Sequence, residues 1–305
     1  LERLEGQSMD QVVVDIKAGL EEIANSDQTV VFDDDRITYV GPSATAPEQR
    51  PGDEVVDYSH DFVLPGLIDI HVHLSYGNAQ ANEDIDMYAT PEFRSLRAMH
   101  AAQQVLKAGY TSIADPASTG YTSVAVRDAI NAGMFPGPRI TTSGRQLTSR
   151  QGLGDWYPSW IGAPESSIGV LVHSTEEAIE EIRLQVKNRV DLIKFTADGL
   201  NRSSDGELMA CFNQQELSAM VEECHRLGVK CISHARGREA VLTSARAGVD
   251  ILFHGFEMDQ EGLDAVVESG ATLSPALTFL VNTVEFTRDG DPCFKWRPNM
   301  NRNDV

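Results

Sequence analysis

Positive charge is scarce in this chain. Its 305 residues include 25 Lys and Arg against 46 Asp and Glu, which gives a formal net charge of -21 at pH 7. An excess of negative charge repels nucleic-acid phosphates and anionic lipid headgroups. We therefore expect neither nucleic acid nor a membrane surface as a partner, and we favour a small-molecule substrate.

Long apolar runs and closely spaced cysteine pairs are also missing. No uninterrupted apolar stretch approaches the roughly 20 residues of a membrane-spanning helix, and the first five residues do not resemble a signal sequence. We interpret the cysteines, which include no Cys-x-x-Cys pair, as core thiols of a reducing, cytoplasmic compartment: Cys211, Cys224, Cys231 and Cys293. The missing initiator Met and the abrupt C-terminus suggest a fragment.

The remaining composition, 41% hydrophobic and 23% charged, is that of a globular protein with one large domain and a small appendage. Residues 1–59 contain short Val, Ile, Thr and Tyr segments at 11–16, 29–32 and 36–40. These segments predict a small β-sandwich-type subdomain with a hairpin turn at Asp33-Asp34-Asp35.

From residue 60 onward, strand and helix patterns alternate. Periodic apolar segments end at glycines that suit a left-handed helix cap, namely Gly109, Gly133, Gly228, Gly248 and Gly270. Strands are predicted at 62–73, 111–114, 139–142, 190–195, 229–233, 249–253 and 271–273. Repeated βα units form either an open doubly wound sheet or a closed eight-stranded barrel. No Gly-x-Gly-x-x-Gly follows the first strand, which disfavours a dinucleotide-binding sheet.

Metal-binding side chains recur where predicted strands end. His71 and His73 close the first strand, which we predict to be buried on both faces, and their side chains point to the same side because strands alternate with period two. Lys194, His234 and His254 close the fourth, fifth and sixth strands at what we expect to be the same height. We interpret the other histidines as structural or surface residues: His60, His100, His173 and His225.

This set of side chains carries a family resemblance. Together with the segment Leu64-Pro65-Gly66-Leu67-Ile68-Asp69, it resembles the ligand set of the amidohydrolase superfamily. Three further segments are most similar to the imidazolonepropionase and prolidase-like branch: His234-Ala235, Ala247-Gly248-Val249-Asp250 and Phe253-His254-Gly255. The resemblance implies a TIM-like (β/α)8 barrel over residues 60–305, with about seven of its eight strands present and the C-terminal part incomplete.

The resemblance also implies a chemistry. His71, His73 and Lys194 would hold one divalent ion, and Lys194, His234 and His254 a second, both most often zinc. Lys194 would be carboxylated, because a buried lysine near cations is readily neutral and reacts with carbon dioxide. A hydroxide bridging the ions would attack a carbonyl and cleave an amide or related C–N bond. The implied catalytic residues are Lys194, His234 and His254.

The sequence departs from the family pattern in two places. The family carries a catalytic aspartate at the end of the eighth strand, and no such strand is predicted after Leu280; Asp115 and Asp198 lie near strand ends, but the resemblance assigns that role to neither. The predicted loop 143–156 reads Gly152-Leu153-Gly154 where prolidase-like relatives often have Gly-His-Gly.

The substrate could be a dipeptide, an N-acyl amino acid, or an apolar amide, urea or carbamate. Candidate substrate-binding residues are Arg145, Arg150, Trp156, Tyr157 and Arg236.

Two other functions remain open from the sequence. The first is a mononuclear cyclic-amide hydrolase or deaminase, which Lys194 disfavours because a bridging lysine serves two ions. The second is a non-catalytic metal-binding barrel, since the strand with the catalytic aspartate is not predicted. Unpaired edges of an incomplete barrel would also favour a homo-oligomer.

Overall fold

The computed structural model describes residues 27–58, 60–77, 79 and 81–277. The chain divides into two compact units between Pro65 and Gly66. In the first unit, strands β1 (Gln28–Asp33) and β2 (Arg36–Pro42) form an antiparallel hairpin. Asp33 pairs with Arg36, which confirms the predicted turn. The predicted strand at 11–16 lies outside the described residues.

The second unit alternates strands with helices. The strands are β3 (Leu67–Asp69), β4 (Tyr110–Asp115), β5 (Arg139–Thr142), β6 (Gln146–Thr148), β7 (Gly169–Leu171), β8 (Leu192–Thr196), β9 (Asp198–Arg202), β10 (Leu208–Ala210), β11 (Lys230–Gly237), β12 (Ile251–Glu257) and β13 (Thr272–Ser274). The helices are α1 (Asn82–Asp86), α2 (Pro91–Lys107), α3 (Thr122–Asn131), α4 (Thr175–Lys187), α5 (Gln214–Arg226), α6 (Arg238–Ala247) and α7 (Gln260–Ser269). This order confirms the predicted βα alternation.

Except for β7, the strands of the two parallel sheets pair in the order in which they occur along the chain, and β9 and β10 form a separate antiparallel pair. One sheet has the order β3-β4-β5, and another has the order β13-β12-β11-β8-β6-β7, in which every pair is parallel. A backbone hydrogen bond of 2.8 Å from Asp191 N to Thr142 O connects the end of β5 with the start of β8. The fold is therefore α/β with parallel sheets, and the carboxyl ends of sequential strands lie on one side.

The helix ends follow the local sequence signals. All five glycines that were predicted to end helices have positive φ, between 71° and 94°. At the N-terminal end of α4, the Ser174 side chain accepts a hydrogen bond of 3.2 Å from Glu177 N, as the capping sequence predicts. The five helices that precede these glycines therefore stop where their carbonyl groups can be capped and the chain can turn.

Side chains that alternate along the strands of the larger sheet pack on its two faces, in an outer core on the side of the helices and in an inner cluster on the other face. Ile193 and Phe195 of β8 and Leu252 of β12 face the helices, whereas Leu192, Ile232 and Phe253 form an inner cluster. Cys224 and Cys231 are free and buried in the outer core, as predicted, and Cys211 is half-buried. Cys293 lies outside the described residues.

The first predicted strand is wrong in extent and in burial. The prediction was one buried strand over 62–73, but β3 contains only Leu67–Asp69, and Ile68 is 68% exposed. Among the strands that the structure describes, β3 pairs only with β4. The apolar run therefore contains a strand of three residues and not the long buried strand that was predicted.

A short strand was also missed. The predicted loop 143–156 contains β6, whose three residues are buried and pair with β7 and, through Leu147, with Phe195. Three residues are too few to show a strand periodicity in the sequence. Among the helices that the structure describes, none is both long enough and apolar enough to cross a membrane.

Candidate metal centre

The two histidines of the His-x-His motif follow β3 directly. His71 N donates a hydrogen bond of 2.9 Å to Asp69 Oδ1, and Val72 N donates one of 3.0 Å to Ala114 O of β4. The ring centroids of His71 and His73 are 5.1 Å apart. Backbone contacts with β4 therefore fix both histidines at the carboxyl end of the sheet.

Contacts with the two rings set their orientation. His73 Nδ1 lies 3.1 Å from Ala117 O, and its ring stacks on Tyr76 with centroids 4.7 Å apart. His71 stacks on Phe253 at 4.1 Å with an interplanar angle of 18°. When Nδ1 of His73 carries the proton donated to Ala117 O, its Nε2 is the atom left to bind a metal.

Lys194 lies deeper than the histidines. In the pairing of β8 with β11, Lys194 stands opposite Ile232, whereas His234 stands opposite Thr196. The predicted equal height is therefore wrong, because a two-residue offset along a strand is about 7 Å. The long lysine side chain lies over the inner face of Phe253, with Nζ 4.1 Å from the ring centroid. Its Nζ is buried and has no hydrogen-bond partner.

His254 reaches the centre through an unusual backbone conformation. Ile251 packs with Phe253 in the inner cluster and Leu252 faces the outer core, so regular alternation would direct the side chain of residue 254 outward. Instead, its ring lies 4.4 Å from that of His234 and 5.2 Å from that of His71. His254 has φ of 80°, which reverses the alternation at a cost of roughly 1–3 kcal/mol.

Burial keeps the deep ligand candidates neutral. It lowers the pKa of Lys194 well below its ordinary value, and the charge of Asp198 opposes this only in part. Burial also lowers the pKa of His234 to about 4, outweighing Asp198, and it is the largest cause that lowers the pKa of His254. Neutral imidazole and amine groups can bind a metal without first releasing a proton.

The unpaired atoms of this cluster suit metal ions. Buried polar atoms normally have hydrogen-bond partners. Here Lys194 Nζ and both ring nitrogens of His254 are buried and have none. Nitrogen-rich donor sets of this kind bind zinc and neighbouring divalent metals. Ring contacts thus join His71 to His73 and to His254, and His254 to His234, while Phe253 contacts both His71 and Lys194.

Asp198 supports this centre from behind His234. Its carboxylate accepts hydrogen bonds from Arg236 N at 2.5 Å and Gly237 N at 2.9 Å, and Oδ1 lies 3.3 Å from His234 Nε2. Burial acts to raise the pKa of Asp198, but His234, Arg236 and the Gly237 N–H together lower it to about 2. Asp198 is therefore a fixed anion beside His234, a role that the sequence did not predict.

Asp115 supports the His-x-His segment. It is fully buried and accepts hydrogen bonds from Ser123 Oγ at 2.5 Å and from Leu74 N at 3.1 Å. Its Oδ1 has no partner, and burial raises its pKa to about 7 against the opposing hydrogen bonds of Ser123 and Leu74. The carboxyl group thus connects β4 to the residue that follows His73.

The arginines proposed for substrate have different surroundings. Arg145 donates to backbone carbonyls, including Ser167 O at 2.8 Å, and Arg236 donates to Asp198 and to Gly199 O. Arg150 is exposed and lines a cavity at the start of α4. The guanidinium groups of Arg145 and Arg236 therefore hold loops in place, whereas that of Arg150 faces solvent.

The aromatic candidates both contact Asp86, a carboxylate that was not predicted as a site residue from the sequence. Trp156 Nε1 and Tyr157 OH donate hydrogen bonds of 2.9 and 3.1 Å to Asp86 Oδ2, and Ile168 N donates one of 3.1 Å to Asp86 Oδ1. Asp86 is fully buried, and burial raises its pKa even though these hydrogen bonds lower it. Asp86 therefore fixes the segment that carries Trp156 and Tyr157.

Comparisons with known proteins agree with this arrangement. The profile of the Amidohydrolase family matches residues 62–290. The chain is 28% identical over 276 residues to an ochratoxinase from Aspergillus niger, an alignment that covers 84% of this chain and 57% of the ochratoxinase. It is 25% identical over 285 residues to an imidazolonepropionase from Xanthomonas oryzae pv. oryzae, covering 86% of this chain and 66% of that protein. The chain thus spans less than two thirds of the length of either relative.

A solved structure gives the same result in three dimensions. The crystal structure of a Xaa-Pro dipeptidase with bound methionine in its active site aligns with a TM-score of 0.69 at 25% identity, covering 89% of this chain and 68% of that one. The resemblance inferred from the strand-end ligands is confirmed. The chain belongs to the amidohydrolase family.

Proposed function

We propose that residues 60–305 form about seven of the eight strand units of a TIM-like barrel, and that residues 1–59 form a small β-sandwich-type subdomain. Two features support the barrel: the sequential order of the parallel strands and the separation of an inner from an outer core. The hairpin of β1 and β2 supports a β-rich N-terminal subdomain.

We propose further that the protein is a metal-dependent hydrolase that cleaves an amide or related C–N bond of a small molecule. The observation that carries this proposal is the group of buried, unpaired nitrogen atoms at Lys194 and His254, beside His234 and the His-x-His motif. Two divalent ions, most suitably zinc, would polarise the scissile carbonyl and lower the pKa of water so that hydroxide is available near neutral pH.

Lys194 is proposed to carry a carbamate. The neutral amine attacks carbon dioxide, a C–N bond forms and one proton leaves, so a group without a charge becomes an anion with two oxygen atoms. Burial provides the neutral amine, and the ring of Phe253 covers one side of Nζ. The carbamate would serve both ions, with His71 and His73 on one side and His234 and His254 on the other.

Other side chains of the chain would position these ligands. The fixed negative charge of Asp198 beside Nε2 orients His234, and the Ala117 carbonyl group orients His73. The positive φ of His254 directs its ring toward His234 and away from the outer core. Ligand directions are thus set by groups that are already in place before a metal binds.

The proposed substrates are dipeptides, N-acyl amino acids, or apolar amides, ureas and carbamates. Arg150 is the exposed cation among the proposed substrate residues and could pair with a carboxylate. Trp156 and Tyr157 give the neighbouring loop an aromatic character, and the similarity to an ochratoxinase and a Xaa-Pro dipeptidase favours hydrolysis of an amide.

Metal content is the primary test. The chain spans less than two thirds of the length of these relatives, so metal binding is measured before turnover. Zinc-loaded protein prepared with bicarbonate should retain two ions and show a carbamate on Lys194 in a crystal structure or by mass. His254→Ala and Lys194→Ala should each lower the number of bound ions without unfolding the protein. Bicarbonate with a short carboxylic acid should partly restore metal to Lys194→Ala. The matched control is His100→Ala, at an exposed histidine of α2.

Turnover of N-acyl amino acids, dipeptides and aryl ureas distinguishes the alternatives. Two ions with hydrolysis support the proposal, and one ion with hydrolysis indicates the mononuclear class. Two bound ions without hydrolysis of any of these substrates indicate a non-catalytic metal-binding barrel. Normal metal content in His254→Ala would show that the ligand is misassigned.

A further inference from the structure

A second cluster of metal-binding side chains lies at the opposite ends of the strands. In the part of the chain that the structure describes, one group of three His, Cys or carboxylate ligand atoms lies within 4.8 Å of one another: that of His225, Cys231 and Asp250. The histidines of the metal centre are less tightly gathered. His225 belongs to the last turn of α5, Cys231 is the second residue of β11, and Asp250 directly precedes β12.

The three side chains converge on a single oxygen atom. Asp250 Oδ2 lies 3.1 Å from His225 Nε2, 2.8 Å from Cys231 N and 3.6 Å from Cys231 Sγ. Backbone hydrogen bonds hold the aspartate in position, from Asp250 N to Cys231 O at 3.1 Å and from Thr272 N to Asp250 O at 2.9 Å. A divalent ion could take the place of the protons that these atoms now share.

The cluster combines three kinds of donor. Cys231 is fully buried, whereas the His225 side chain is 46% exposed. The site therefore has a buried thiol at its base and an imidazole at its entrance. A thiol, an imidazole and a carboxylate are ligands that zinc accepts, and a water molecule can complete a tetrahedral site.

This cluster is separate from the proposed catalytic centre. Cys231 precedes His234 by three residues on β11, a distance of about 10 Å along a strand. Cys231 packs in the outer core with the helices, whereas Ile232, the next residue, belongs to the inner cluster. The two sets of ligands thus lie at different heights and on different faces of the same sheet.

We propose that His225, Cys231 and Asp250 form a site for a thiophilic divalent metal ion such as zinc. The ion connects the end of α5 to the starts of β11 and β12. The Cys231 thiol releases one proton to solvent when it becomes a ligand, and no oxidation occurs.

Cobalt(II) titration of the metal-stripped, fully reduced chain tests this proposal. Sulfur ligands give cobalt a thiolate-to-metal charge-transfer absorption in the near ultraviolet, which nitrogen and oxygen ligands do not. We expect this absorption in the wild-type chain, its loss in Cys231→Ser, and its retention in Cys211→Ser. Cys211 is the matched control because it is a half-buried thiol outside the cluster.

A second variant covers the case in which Cys231→Ser does not fold. His225→Gln changes a partly exposed side chain and should weaken cobalt binding at the sulfur site by at least the roughly 10- to 100-fold typical of losing a group that orients a ligand. The absence of charge-transfer absorption in a wild-type chain with confirmed free thiols would overturn the proposal. The proposal would also be overturned if His225→Gln bound cobalt with the affinity of the wild type, as measured by the charge-transfer absorption.

Discussion

Replacing Lys194 with methionine should separate the role of this residue in metal binding from its role in folding. Methionine keeps much of the length and apolar character of the lysine side chain but has no ammonium group. In the chelator-treated protein, Lys194→Met should increase the free energy of unfolding. With zinc present, the same variant should retain fewer ions than the wild type.

The expected gain follows from the surroundings of Nζ. A buried polar group without a hydrogen bond costs roughly 1–3 kcal/mol, and Lys194 Nζ is such a group. The contact of Nζ with the ring of Phe253 at 4.1 Å offsets about 0.5–1 kcal/mol, and only when the amine is charged. The unfavourable burial is the larger effect, so we expect Lys194→Met to stabilise the metal-free chain by about 1–2 kcal/mol.

The pH dependence of stability provides a second measurement. The folded-state pKa of Lys194 lies below its value in the unfolded chain, so between these two values the folded chain binds fewer protons. The contribution of Lys194 to stability therefore becomes more favourable as pH rises through this range. The advantage of Lys194→Met over the wild type should be greatest at low pH and should decrease as pH rises.

Urea unfolding of the chelator-treated proteins, followed by tryptophan fluorescence, measures these differences. Lys230→Met is the matched control, because Lys230 is an exposed lysine of β11 that pairs in register with Leu192 of β8. The control should change stability by less than about 0.5 kcal/mol. If Lys194→Met instead lost 1 kcal/mol or more relative to this control, Nζ would have partners and the argument for a neutral amine would be refuted.

Two further predictions concern the supports of the site and the core. Burial raises the pKa of Asp115 from 3.8 to about 7, so its contribution to stability is complete below pH 3.8 and is lost as pH rises through about 7. In the metal-free chain, Asp115→Asn should therefore be more stable than the wild type above pH 7, by up to roughly 4 kcal/mol, and parallel pH–stability curves would contradict this. Ile193→Ala should cost roughly 2–5 kcal/mol because Ile193 is fully buried, whereas Ile68→Ala should cost less than about 1 kcal/mol. Equal losses in urea unfolding would show that Ile68 is covered.

The sequence alone determined the features that depend on neighbours along the chain. The alternation of strands and helices, the glycines that end five of the helices and the hairpin turn at Asp34 all follow from local patterns. The candidate metal ligands could also be selected from the sequence, because each ends an apolar run and their order along the chain resembles a known family; their role as ligands stays a prediction.

Only the tertiary structure decided which of these groups meet and at what depth. Strand pairing placed Lys194 below His234, and the backbone reversal at His254 appears in no sequence period. The contacts of Asp86 with Trp156 and of Asp250 with His225 join residues 70 and 25 positions apart. Such contacts depend on the register of strands and the packing of helices, which are set by the whole fold because side chains far apart in the sequence must fill one core.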